Sequence, residues 1–354
     1  ALRALAVASG WPVCASGGDD AVVRLWELSN RSMLRSRSMP AAVTSLAFDE
    51  AAGEQQRRLA IGMDNGAWTV LTISLSTVGG GAAAVLDEVD AHAHAGAAEA
   101  AEDAEGATGP ARRIHDVRFS PDGRWLAFAC ADALIYLYDV NGYALVGTCA
   151  GHSSAVTRLD RTTSSDVLRS NDLGHELRFW DCPSGEAIAL ASACRDLPWA
   201  SARVTLGYHC QGVFRNASDA TSVHAIDRSG AGELLATVDD LGQVSLFRNP
   251  CVRLSGDPHA PGAPNRRSFA AHASAALDCR WASAKAGGDA AELVVSVGGY
   301  DLALMQWRRV KEEPRLAERS AQRVEEMPQT PAGAREKRRQ KRAQNQSQSL
   351  SGSQ

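Results

Sequence analysis

The sequence predicts an all-β chain folded as a β-propeller of six recognisable blades, and three observations predict it. Residues 111 to 182 hold two units of about forty residues that can be laid one over the other, from Ile114 to Val140 and from Gly151 to Asp181. Each unit is a series of short β-rich runs separated by turn residues. An aspartate also precedes an aromatic by six residues at Asp20 and Trp26, again at Asp132 and Tyr138, and again at Asp301 and Trp307. A small sheet cannot bury both of its faces alone, so repeats of this size stack side by side as blades.

The elements come in order along the chain. Leu2–Val7, Val13–Ala15 and Ala21–Trp26 have strand length, and Gly17-Gly18-Asp19-Asp20 between the last two is a hairpin signal. The second repeat takes Ser32–Ser38 as an outer strand of low apolar content, then Ala42–Phe48, Arg58–Met63 and Ala67–Ile73, with Asp64-Asn65-Gly66 as the turn between the last two. Residues 91 to 109, rich in alanine and acidic residues and containing His92 and His94, read as a flexible acidic insertion. In the third repeat Ser120-Pro121-Asp122-Gly123 has the residue order of a type I turn, and it should join the innermost strand to the next.

The fourth repeat supplies Ala155–Asp160, Val167–Ser170 and Glu176–Asp181. The fifth, roughly 189 to 251, is longer, and an extra strand pair or an elaborated loop is expected before its inner strand at Thr221–Asp227. The sixth has Ser268–His272, Ala276–Trp281, Leu293–Val297 and Ala303–Trp307. The chain starts on an inner strand, and propeller rings usually borrow a first outer strand to finish the last blade. An incomplete closing blade or a gap between blades one and six is therefore expected. Residues 311 to 354 read as a charged, largely disordered tail with a basic run at Arg335, Lys337, Arg338, Arg339, Lys341 and Arg342.

Composition narrows the function classes. The charged fraction of 22% is that of a soluble globular chain, and a net charge of −4 gives no global attraction to nucleic acid or an anionic membrane, so neither is an expected partner. No apolar run reaches the eighteen or so residues of a membrane helix, and no signal peptide is visible, although the chain reads as a piece of a longer one. The eight cysteines include no Cys-x-x-Cys pair, which suggests small core residues in a reducing compartment and neither a disulfide framework nor a zinc site.

A turn aspartate and an aromatic at fixed spacing in successive repeats is how WD repeats pin a hairpin. The expected network is Asp20 and Trp26, Asp132 and Tyr138, then His152, Ser170 and Trp180, then Asp240, and finally His272, Ser296, Asp301 and Trp307. At blade four the spacing to Trp180 is eight residues, so Asp172 is not taken as the buried partner there. The Ser-His-Asp combination would also suit a hydrolase, because a histidine between a carboxylate and a hydroxyl activates the serine. Its recurrence from blade to blade, each time beside a tryptophan, argues for scaffolding, and no catalytic residue is expected. The adjacent Asp239 and Asp240 are expected to cap a turn and not to act as paired carboxylates. No cofactor or metal is expected.

Longer strings are more selective. Phe119-Ser120-Pro121-Asp122-Gly123, Gly151-His152 with Leu159-Asp160, Arg195-Asp196 with Trp199-Ala200, Asp227-Arg228-Ser229, and above all Asp239-Asp240 through Leu246-Phe247 to Pro250-Cys251 resemble the echinoderm microtubule-associated protein-like (EMAP-like) family over about residues 1 to 310. In that family two propellers pack in tandem, and this chain resembles the second. The resemblance implies a non-enzymatic scaffold in the cytoplasm that binds tubulin or microtubules and helps organise the cytoskeleton, including at cilia. A general protein-interaction platform in a ciliary or signalling complex, without direct tubulin binding, stands as the alternative. The basic run could add attraction to tubulin's acidic surface.

Overall fold

The computed structural model describes residues 1–51, 53, 56–78, 81–85, 112–214, 222–252, 266–286 and 289–309. The predicted acidic insertion and the basic tail lie outside these residues. Within them the chain forms six antiparallel sheets, each with strands in sequence order. Blade one is β1 (Leu2–Val7), β2 (Val13–Gly18), β3 (Val22–Glu27) and β4 (Ser32–Ser38). Blade two is β5 (Val43–Phe48), β6 (Gln56–Met63), β7 (Trp68–Val78) and β8 (Gly81–Val85). Blade three is β9 (Ile114–Phe119), β10 (Trp125–Cys130), β11 (Leu134–Asp139) and β12 (Leu145–Ala150). Blade four has only β13 (Val156–Arg161), β14 (Val167–Asp172) and β15 (Leu177–Asp181). Blade five is β16 (Val223–Arg228), β17 (Leu234–Asp239), β18 (Gln243–Arg248) and β19 (Arg266–Ala270), and blade six is β20 (Ala276–Ala286), β21 (Asp289–Gly298) and β22 (Leu304–Arg308).

Burial explains the sequence pattern. Strands β2 and β5 are buried at every position because neighbouring blades cover both faces, so apolar and small residues run on without alternation. The outer strand β4 is mostly exposed and carries Arg35, Arg37 and serines, a composition that discourages edge-to-edge pairing. The predicted Ser120–Gly123 turn joins β9 to β10, closed by the Gly123 N–H on the Ser120 carbonyl at 2.9 Å with Gly123 at φ +70°.

Apolar clusters lie in the seams between blades. Val13, Leu46 and Ile61 join blades one and two, Trp68, Ile114 and Phe128 join two and three, and Leu137, Leu159 and Trp180 join three and four. Ala236, Cys279 and Val294 join five and six, and Leu5, Cys14 and Val295 join six and one. Between blades four and five the chain does something else. Residues 191 to 213 form a wedge with 3-10 helices at Ala191–Cys194 and Tyr208–Val213. Its Cys194 and Trp199 pack on Phe179 of blade four, while Ala202, Cys210 and Val213 pack on Ile226 and Phe247 of blade five. The elaborated loop is thus present, and among the described residues it holds no extra strand pair.

Carboxylates on the inner strands of blades three to six reach the next element around the ring. Asp116 accepts the Leu159 N–H at 3.0 Å, Asp227 accepts that of Trp281 at 2.7 Å, and Asp278 accepts that of Leu5 at 3.3 Å. Asp160 accepts the Arg203 and Val204 N–H groups, both at 2.9 Å, so the wedge stands where another inner strand would. Each such hydrogen bond is worth about 0.5–1.5 kcal/mol, and about 1.5–3 kcal/mol where the acceptor is charged. The closing blade is three-stranded, as expected, but no gap accompanies it. The Leu2 N–H donates to the Gly299 carbonyl, and the Gln306 side chain to the Leu28 carbonyl, both at 3.2 Å. Among the described residues no helix is long and apolar enough to cross a membrane.

Candidate functional site: pinned hairpins and two channel mouths

The strand register decides which residues can form a pin. Trp180 lies opposite Leu168, and Trp307 opposite Val294, so Ser170 and Ser296 come two residues later on the neighbouring strand, on the same face as the indole. In blade six the network is complete. Trp307 Nε1 donates to Ser296 Oγ at 3.0 Å, His272 Nε2 meets that hydroxyl at 2.8 Å, and His272 Nδ1 lies 2.9 Å from Asp301. Blade four repeats it, with Trp180 Nε1 to Ser170 Oγ at 2.8 Å and His152 Nε2 to the same oxygen at 2.6 Å. There His152 Nδ1 lies 3.2 Å from Asp172, so Asp172 does face the histidine, from the end of β14 and not from the turn.

Other expected members stand differently. Asp20 is exposed, caps the Val22 N–H at 3.3 Å and pairs with Arg24, while Trp26 Nε1 finds Ser16 at 2.8 Å. Six residues measure the length of a hairpin; they do not by themselves bury the aspartate. Asp132 caps the Leu134 N–H and accepts the Tyr136 hydroxyl at 2.9 Å, whereas Tyr138 packs against Trp68 and Phe128. Only Tyr136 of the two tyrosines reaches back to the turn. In blade five the buried carboxylate is Asp239, which accepts the Leu241 and Gln243 N–H groups at 3.1 and 2.9 Å. Asp240 is half-buried and accepts the Ser222 N–H at 3.1 Å. Asp239 caps its turn as expected, whereas Ser16 and the role of Asp172 were legible only with the register in hand.

The network offers little to a substrate. Ser170 and Ser296 are 0% exposed, and each hydroxyl already accepts an indole N–H. His152, Asp172 and Glu176 place ligand atoms within 4.8 Å of one another, which is a metal-like spacing. Blade six builds the same histidine environment from Asp301 alone, so the trio reads as a pin with an added carboxylate. Burial, ahead of the attraction of Asp172, holds the His152 pKa below its ordinary value and keeps the ring neutral at pH 7.

Strand directions also fix the two faces of the ring. Turns joining the second and third strands of each blade share a face with the starts of the inner strands. There Leu173 (62%), Leu241 (62%), Leu302 (64%) and Tyr300 (84%) are exposed, all on blades four to six. Blades one to three carry Asp20, Asp64 and Asp132 at the same turns. Arg3, Arg113, His115, Arg158 and His224 lie within electrostatic reach of one another at the same end of the inner strands, with Asp19, Asp64 and Asp240 beside them. Burial, then the nearby Arg113 and Arg158, pushes the His115 pKa down to about 4, so this ring is neutral at pH 7, while Arg3 is paired with Asp19 and Arg113 also feels Asp64 and Asp19.

Residues 2–309 match the family model described as echinoderm microtubule-associated protein second beta-propeller. The chain belongs to this family. It is 32% identical over 295 residues to the 77 kDa echinoderm microtubule-associated protein of Strongylocentrotus purpuratus, covering 82% of this chain and 37% of that protein. It is 29% identical over 299 residues to human echinoderm microtubule-associated protein-like 2, covering 83% and 39%, and 35% identical over 196 residues to the human like-1 protein, covering 54% and 22%. The chain thus spans under two fifths of the length of these EMAP-family relatives. The family match runs through the blades, the wedge and the pins alike.

Proposed function

We propose that this EMAP-family propeller is a non-enzymatic scaffold of the microtubule cytoskeleton that binds tubulin through the face carrying Leu173, Leu241, Tyr300 and Leu302. The observation that carries the reading is the match of residues 2–309 to the family's second propeller, whose full-length relatives are named for microtubule association. The geometry supports it in two ways. The hydroxyls that resemble a catalytic serine are sealed in the blades. The exposed leucines and Tyr300 share their face with Arg113 and Arg158, which suits an acidic partner that also presents apolar side chains. The basic run from Arg335 to Arg342 would add a longer-range, salt-sensitive attraction.

Co-sedimentation with microtubules and capture of soluble tubulin test this. Binding should weaken with salt, and the triple variant Leu173→Ser, Leu241→Ser, Leu302→Ser should bind roughly tenfold or more weakly, the scale of one or two lost interface anchors. Its melting temperature should stay close to that of the parent, because all three side chains are exposed. Full binding by the triple variant would move the interface off this face. Absence of binding in both assays would remove tubulin as the partner.

A further inference from the structure

At the opposite end of the channel, where inner strands of several blades terminate, lies a cavity of about 270 Å³ bordered by Arg118, Arg161 and Arg280. Arg161 is 2% exposed, and among the described residues none of its three side-chain nitrogens reaches an oxygen acceptor. Other buried arginines of the ring have a carboxylate. Arg169 meets Asp160 at 2.8 Å, Arg203 lies 3.5 Å from Asp116, and Arg280 meets Asp278 at 2.7 Å. The groups beside Arg161 are the Cys182 thiol, with which it makes a hydrogen bond, the Cys149 thiol and, at longer range, Asp122. Burial pushes both thiols up, so they stay neutral at pH 7 and supply no counter-charge. Glu50 borders the same cavity, but its carboxylate is taken by Arg57 at 3.0 Å and by the Ser9 N–H at 3.2 Å. A buried guanidinium whose partner is a neutral thiol lacks a counter-charge, which is costly, and a cavity on its flank is a place for the missing anion.

The donor inventory indicates what fits. Arg161 offers five N–H groups, Arg118 three at Nε and Nη2, and Arg280 one at Nε, none with an oxygen acceptor in hydrogen-bond geometry. Arg118 Nη2 does lie 3.4 Å from Asp116, without the alignment of a hydrogen bond. A carboxylate has two acceptor oxygens, whereas a phosphoryl group has three and carries more charge. A water molecule takes about 30 Å³ in the liquid, so the cavity has room for a phosphoryl group and a small carrier. We infer that this cavity binds a phosphoryl group, free or on a small monoester, with Arg161 as its buried counter-ion and Arg118 and Arg280 as further donors.

The test is thermal unfolding and titration calorimetry of the chain in low-chloride buffer, with inorganic phosphate, with O-phosphoserine, and with sodium chloride at matched ionic strength. Both phosphoryl probes should raise the melting temperature saturably while chloride does not. Apparent affinity should fall at least tenfold in Arg161→Met and in Arg118→Met. If Arg161→Met does not fold, Arg118→Met reads the same loss from a less buried position. A larger response to O-phosphoserine than to phosphate assigns the site to monoesters, and an equal response assigns it to the free anion. The inference is overturned if chloride reproduces the shift, if neither probe binds, or if Arg118→Met keeps the parent's affinity.

Discussion

Blades three and four occupy adjacent places in the ring and solve one problem with opposite chemistry. Phe128 and Ser170 hold equivalent positions on their second strands, as do Tyr138 and Trp180 on the third. In blade four the hairpin is held by a polar chain from Trp180 through Ser170 to His152 and Asp172. In blade three the same space holds rings, with Phe128 4.8 Å from Trp68 and 5.5 Å from Tyr138. Blade three keeps Asp132 at its turn, bound to the Leu134 N–H and the Tyr136 hydroxyl, so the rings stand in for the serine, histidine and indole alone, a substitution that fits a hairpin-holding role. The serine and histidine that resemble a hydrolase's thus have aromatic rings as their counterpart in the neighbouring blade.

The comparison breaks first at its apolar end. Phe128 is 0% exposed and touches rings on two sides, so Phe128→Ala should cost about 3–5 kcal/mol, read as a fall in the urea midpoint with little change in slope. A cost below about 1 kcal/mol would show that the ring cluster does not hold blade three.

Next comes the polar end. Ser170→Ala leaves the Trp180 indole N–H and His152 Nε2 both buried without a partner, at about 1–3 kcal/mol for each group. Ser16→Ala strands only the half-buried Trp26 indole and should cost roughly 1 kcal/mol. The ordering of these two serines in denaturant unfolding sharpens the comparison, because only the first sits in a complete network. Equal costs would mean that His152 adds nothing to the pin.

How much of this was legible in the sequence depends on how far apart the partners lie. The blades were legible, because strand length, turn residues and the Ser120-Pro121-Asp122-Gly123 turn are local. The pins of blades four and six were legible as residue types. Asp20 and Asp240 accept backbone N–H groups from exposed or half-buried places and Tyr138 packs among rings, while Tyr136 and Asp239 make the inner turn contacts, a distinction that needs the register. The wedge was visible as excess length but not as structure, since short 3-10 turns carry no hydrophobic period. Asp160 and Asp227 stood in the family strings, but the bonding role of the inner carboxylates left no local signal. Their partners are backbone N–H groups some forty or more residues away, such as Leu159 for Asp116 or Trp281 for Asp227.

Those carboxylates give the subtlest test, because the link that Asp227 makes carries a pH dependence. Asp227 keeps some contact with the channel, yet the protein around its carboxyl raises its pKa to about 7; burial outweighs the Trp281 N–H and the attraction of Arg203. In the unfolded chain an aspartate titrates near about 3.9. Between roughly pH 4 and 7 the folded protein therefore binds more protons at this site than the unfolded one, and its contribution to stability falls as pH rises through that window. Asp227→Asn keeps an oxygen for the Trp281 N–H at 2.7 Å and removes the titration. The variant should match the parent or melt slightly below it at pH 4, gain on it steadily up to pH 7, and hold a constant lead above that. Parallel melting curves across the window would show that Asp227 is already fully ionised in the folded ring, held by Arg203 and not penalised by burial.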